Sequence, residues 1–182
     1  VNTDVSKMFD LIRDEDMIAA VPDFLFSSLH RYDDSTYPAK ELYGMQSMSH
    51  YFNNGVMLIN VKNYLQLLPV DKLLEIINST HYNLADQTII NIVAEGHVTL
   101  LPWQYNYQHP LSWFETNYDD WLPAKVQEIK NAYPSIQIRH FAGGGYRTNP
   151  YDHVGVDDEW EMIFWRTFYR MKILSQDANQ NI

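Results

Sequence analysis

Apolar and polar positions along this chain change period several times, and each change marks an element. Met17-Ile-Ala-Ala-Val21 is an unbroken apolar run stopped by Pro22, the pattern of a short buried strand. Gly55 to Val61 is apolar but for Asn60, which predicts a strand buried on both faces. Val61 to Leu68 and Val70 to Asn78 read as two helical segments separated by Pro69, and Ala85 to Glu95 as a helix with Ile89, Ile90, Ile92 and Val93 at helical spacing. His97 to Leu101 predicts a strand. Asp119 to Tyr133 predicts a helix with Pro123 in its first turn, where a missing N–H costs nothing. Ile136 to His140 predicts a strand running into Gly143-Gly144-Gly145, and Asp157 to Lys172 an amphipathic helix. At the start, Thr3 and Asp4 are cap-type residues for a short helix ending near Phe9. Ser27 to Ser49 is polar, rich in Tyr and without a period, and predicts a long loop of the functional kind.

Strands alternating with helices imply an α/β sheet with helices on its faces, and such sheets bind ligands at the carboxyl ends of their strands. That rule directs attention to Asp23, the 53–55 corner, Asn106, and His140 with its glycines.

Composition narrows the classes. The 182 residues suit a single domain spanning 1–182. With 13 Lys+Arg against 23 Asp+Glu, the net charge of −10 argues against a nucleic-acid partner, which needs a basic face. The absence of cysteine excludes a disulfide scaffold, a thiolate metal site and a cysteine nucleophile, and it fits a reducing compartment such as the cytoplasm. No apolar run approaches the roughly 20 residues of a membrane span.

Four constellations could carry chemistry. Tyr51-Phe52-Asn53-Asn54-Gly55 reads first as a tight turn, since Asn and Gly tolerate positive φ; the alternative is that the amides of Asn53 and Asn54 hold sugar hydroxyls. Asp86-Gln87 at a helix start reads as a cap or as a polyol site. His140, ahead of its glycines, is either a satisfied core histidine or a metal ligand; the contiguous glycines match neither a phosphate-binding Walker loop nor a dinucleotide fingerprint. The other histidines, His30, His50, His81, His97, His109 and His153, show no recognised ligand spacing. Trp160, Phe164, Trp165, Phe168 and Tyr169 form a helical stripe that reads as core, with a helix lying peripherally on a membrane as the alternative.

Three blocks in order then carry a resemblance. Tyr51-Phe-Asn-Asn-Gly-Val-Met-Leu-Ile-Asn60, Ala85-Asp-Gln-Thr-Ile-Ile-Asn91 and Ile138-Arg-His-Phe-Ala-Gly143 are similar to the blocks of glycosyltransferase family 8, with Ile18 to Asp23 and Leu101 to Asn106 also fitting. The resemblance implies a GT-A fold, a mixed sheet flanked by helices. It implies retaining transfer of a hexose, glucose or galactose, from a UDP-sugar to a glycan or lipopolysaccharide acceptor, with Mn²⁺ or Mg²⁺ on the diphosphate. Peripheral association with the inner face of the membrane goes with such an acceptor. Carried over, His140 would ligate the metal, and Asp86 and Gln87 would act at the donor sugar, with Gln87 facing the anomeric carbon. Asn53, Asn54 and Asp23 would bind substrate, Asn106 would lie near the acceptor, and Gly143 would approach the diphosphate.

The sequence departs from the family in three places. Thr88 stands where the family has a second Asp, and Tyr146 at the spacing of a family Lys, whose phosphate-binding role would pass to Arg147. The family's metal-binding Asp-x-Asp falls upstream of Val1, so the expectation is the latter part of a catalytic domain, lacking the N-terminal half of the fold and inactive by itself. A non-catalytic sugar-binding or scaffold module of the same fold is the other reading.

Overall fold

The sheet is built around one short strand. In the computed structural model, which describes residues 1, 4–35, 37–79, 85–116, 118–143 and 149–180, strand β1 (Ile18–Pro22) is buried along its whole length. Strand β2 (Phe52–Ile59) pairs with it antiparallel, placing Ile18 opposite Ile59 and Ala20 opposite Met57. Strand β3 (Val98–Leu100) pairs on the other edge in parallel, with Ile18 opposite Val98. The order β2-β1-β3 makes a mixed sheet. The register slips between Ala20 and Pro22, and Pro22, a residue without an N–H, ends the strand opposite Phe52.

The chain divides into two compact units. The first, 1–108 with 118–140, contains the sheet. Five of its helices are α1 (Phe24–Ser28), α2 (Ala39–Tyr43), α3 (Val61–Leu67), α4 (Val70–Ser79) and α5 (Ala85–Ala94). Met17, Ile18, Ala20, Phe52 and Ala94 form a core cluster, against which Tyr64, Leu67, Ile90 and Val93 pack. Burying one side chain of the size of Phe52 contributes about 1.5–3 kcal/mol. The second unit, 109–117 with 141–182, holds the short helix α6 (Trp113–Thr116) and the long helix α8 (Glu159–Gln180). Helix α7 (Pro123–Ala132), which starts at Pro123 itself, belongs to the first.

Several expectations are corrected. Strand β2 is buried only at Phe52 and Asn53; beyond them it is half-buried, with Gly55 and Ile59 exposed. The segment at Ile136 to His140 forms no named strand; a bridge between Tyr107 and Arg139 and bonds from Gln137 and Ile138 to the Gln104 carbonyl hold it extended. The predicted N-terminal helix is a single 3₁₀ turn, Ser6–Met8. The stretch from Ser27 to Ser49 is not one loop. It contains α2 and 3₁₀ turns at His30–Tyr32 and Met48–His50, gathered round a cluster of Phe26, Met45, Met48 and Tyr51 with Tyr32, Tyr37 and Tyr43. The aromatic stripe of α8 is only partly core: Phe164 and Trp165 are half-buried, whereas Phe168 and Tyr169 are 36% and 56% exposed. Among the described residues no helix is long and apolar enough to cross a membrane.

Candidate active site

At the carboxyl end of β1, Asp23 caps α1. Its Oδ1 accepts hydrogen bonds from the backbone N–H of Leu25 at 3.0 Å and Phe26 at 3.4 Å. Its other oxygen faces inward and accepts from Asn53 Nδ2 at 3.2 Å and Gln87 Nε2 at 3.1 Å. The carboxyl is buried, and burial pushes its pKa above the usual carboxylate range, while the amide and backbone donors pull the other way.

From Asp23 the polar groups continue as one chain of side chains. Asn53 Nδ2 also donates to Gln87 Oε1 at 3.2 Å, and Gln87 Oε1 accepts from the Asn54 N–H at 3.3 Å. Asn53 Oδ1 accepts from the Gly55 N–H and from Asn106 Nδ2, both at 3.0 Å. Asn106 Oδ1 then meets His140 Nδ1 at 3.0 Å. Because that amide oxygen can only accept, Nδ1 carries the proton and Nε2 keeps a lone pair, the arrangement of a metal-ligating imidazole. Desolvation, with the Arg139 charge second, lowers the His140 pKa and keeps the ring neutral.

Space is reserved for that ring by Gly55. A β-carbon there would stand 2.1 Å from His140 Cε1 and 2.9 Å from Nε2. The glycine of the Asn-Asn-Gly segment is thus a contact requirement, and its φ is not positive. Asp86 is exposed at the rim, where its Oδ2 accepts from Asn54 Nδ2 at 2.8 Å. Thr88, at the family's second Asp, is buried and bonds the Tyr51 hydroxyl at 2.8 Å; burial raises that phenol to about 12.

The structure therefore brings together Asp23, Asn53, Asn54, Asp86, Gln87, Asn106 and His140. Asn106 is wholly buried, so its amide serves Asn53 and His140. Gly143 lies in the second unit and is exposed; Arg147 lies outside the described residues. Two supporting residues escaped the sequence reading. Asn91 donates to the Phe52 carbonyl at 2.8 Å and to the Gln87 carbonyl at 2.9 Å, and accepts from the Phe52 N–H at 2.8 Å, clamping α5 to β2. Gln108 does likewise beside Asp23, accepting from the Phe24 N–H at 2.8 Å and donating to the Pro22 carbonyl at 2.9 Å. The Asp-Gln-x-x-x-Asn spacing was the available signal for Asn91, since i and i+4 share a helix face.

This architecture, with its polar row at the strand ends, is part of the GT-A fold of the glycosyltransferases. The chain belongs to glycosyl transferase family 8, whose model matches residues 1–145. It is similar to the apo structure of WbbM, a bifunctional glycosyltransferase, with a TM-score of 0.67 and 22% identity over 91% of this chain and 32% of that one. It is also similar to the galactosyltransferase LgtC in complex with donor and acceptor sugar analogues, with a TM-score of 0.54 and 19% identity over 85% of this chain and 52% of that one. The chain thus spans about a third and about half of the lengths of these two proteins. No curated protein matches it in sequence.

Proposed function

We propose that this chain is part of a retaining hexosyltransferase that moves glucose or galactose from a UDP-sugar to a glycan or lipopolysaccharide acceptor. One observation carries the reading: Asn106 accepts at His140 Nδ1, which leaves the lone pair on Nε2, and Gly55 leaves room for the ring. The chemistry of that nitrogen fits a divalent ion such as Mn²⁺ or Mg²⁺. When bound, such an ion neutralises charge on the departing diphosphate. No group of three His, Asp or Glu ligands surrounds His140 among the described residues, so this ring supplies one ligand of the set.

The chain's own residues do the positioning. Gln87, fixed by Asp23 and Asn53, presents its amide to the donor sugar, and the Asn54–Asp86 pair at the rim supplies a donor and an acceptor for hydroxyls. Preorganised dipoles of this kind stabilise an oxocarbenium-like state without reorganising during reaction. A cavity of about 510 Å³ lined by Phe26, Ser27, Tyr32, Trp103, Leu122 and Glu128 offers an acceptor pocket, partly walled by the Ser27 to Ser49 segment. The acceptor implies work at a membrane face, reached by peripheral association from the cytoplasm.

Titrating the protein with UDP-glucose and UDP-galactose, with and without Mn²⁺, tests the proposal. Binding should require the ion and weaken more than about tenfold in His140→Ala. Metal-independent binding that His140→Ala leaves unchanged would remove the ring from the site. Sugar-nucleotide binding without transfer, in the protein that contains the whole catalytic domain, would favour a non-catalytic sugar-binding module.

A further inference from the structure

We propose that the second unit holds a divalent metal ion on His153, Asp157 and Glu161, independently of the transferase site. The sequence reading found no ligand spacing at His153, yet the start of α8 brings an Asp four residues on and a Glu eight residues on to the same place. One ligand atom from each of the three lies within 4.8 Å of the others.

The geometry of the closest pair is that of two groups sharing an ion. His153 Nε2 and Glu161 Oε1 are 2.9 Å apart, within ion-pair distance, yet neither atom makes a hydrogen bond of normal geometry among the described residues. Two donors that each sit about 2.1 Å from one ion at right angles, as adjacent octahedral ligands do, are separated by about 3 Å. Asp157 Oδ2 stands 3.9 Å from the same nitrogen, within reach of a shared ion.

Burial supplies the second observation. The His153 and Glu161 side chains are 7% and 3% exposed. Both ring nitrogens of His153 are shielded from solvent without a hydrogen-bond partner among the described residues. A cation taking the Nε2 lone pair and Oε1 together would give both shielded atoms a partner and offset the cost of a buried carboxylate oxygen. Glu161 is also fixed in advance: Oε2 accepts from the Asp157 N–H at 2.6 Å, and the Glu161 N–H donates to Asp158 Oδ1 at 2.9 Å. This reciprocal cap at the start of α8 leaves Oε1 as the oxygen turned to His153. One imidazole with two carboxylates suits a borderline ion of the Zn²⁺ or Mn²⁺ class. Its role would be a staple joining the 149–158 segment to α8.

The test uses the full chain stripped of metal and carrying His140→Gln, which silences the other candidate ligand. Equilibrium dialysis against Zn²⁺ and, separately, Mn²⁺ should load one ion, with a rise in Tm by linkage. Adding His153→Gln or Glu161→Gln should weaken uptake more than about tenfold while circular dichroism stays unchanged. Failure of the His140→Gln protein to take up either ion, or uptake unaffected by Glu161→Gln, overturns the proposal. Should those variants misfold, ¹⁵N spectra of the His140→Gln chain decide: the His153 Nε2 resonance must shift on adding Zn²⁺, and an unmoved resonance rejects the site. Because His140 is absent throughout, neither result bears on the transferase reading.

Discussion

The imidazole of His140 occupies the space that a side chain on residue 55 would need, so Gly55 and His140 act as one contact although they are 85 positions apart in sequence (140 − 55). Gly55→Ala should therefore mimic His140→Ala. The expected result is a loss of Mn²⁺-dependent UDP-sugar binding of at least about tenfold, with the strand retained. Calorimetric titration of both variants checks it, and normal binding by Gly55→Ala would show that the ring moves aside freely.

Asn106 is the hinge of the polar row. Replacing it with Ala leaves Asn53 Oδ1 and His140 Nδ1 each short of a buried partner. The expected cost is about 1–3 kcal/mol in urea unfolding. The same variant should lose its preference for the Nδ1-protonated tautomer, visible in ¹⁵N spectra of the ring. A wild-type tautomer in Asn106→Ala would refute this account of how the lone pair is set.

Proton binding at His140 has a definite sign. Its folded pKa lies below the unfolded value of about 6.5. The unfolded chain therefore takes up the proton first. The stability that the neutral ring contributes is present above pH 6.5 and is lost as the pH falls through the folded pKa. His140→Gln should flatten that part of the stability profile between pH 7 and 5, and NMR titration of the wild-type ring should give a midpoint under 6.5. A midpoint above 6.5 contradicts the burial argument.

Asn91→Leu should destabilise by roughly 2–4 kcal/mol, because it strips partners from the Phe52 N–H and carbonyl in a buried place. Urea midpoints at constant m-value measure this. An effect below about 0.5 kcal/mol would mean that the clamp between α5 and β2 is redundant.

How much of this was readable beforehand depends on where each element is satisfied. Pro22, Pro69 and Pro123 punctuate the chain locally, so β1, the α3–α4 pair and the start of α7 follow from the sequence. The candidate residues Asp23, Asn53, Asn54, Asp86, Gln87, Asn106 and His140 stand in or beside the motif blocks, and the structure brings them together. Their mutual bonds were not legible, because each bond joins segments distant in sequence. The extended run at Ile136 to His140 looks like a strand but borrows its partners from the irregular 104–107 segment. The Ser27 to Ser49 stretch lacks a period because its order comes from aromatic contacts and from Asp34, whose carboxylate accepts from the Met48 N–H and the Ser47 hydroxyl. His153 was passed over because its partners lie on two sides of a helix start, which no fixed ligand pattern describes.

The central strand carries one more consequence, for the order of assembly. Ile18 meets Ile59 across one edge and Val98 across the other, separations of 41 and 80 positions (59 − 18, 98 − 18). Contacts between distant segments demand closure of long loops and form slowly. The antiparallel edge should thus zip before the parallel one, and Asn106 and His140, further along still, can dock only on a finished sheet. Pulse-labelled amide exchange would see β1 and β2 protected ahead of β3. His140 would then be among the last groups to reach its place, so a chain interrupted during folding carries a sheet without the polar row.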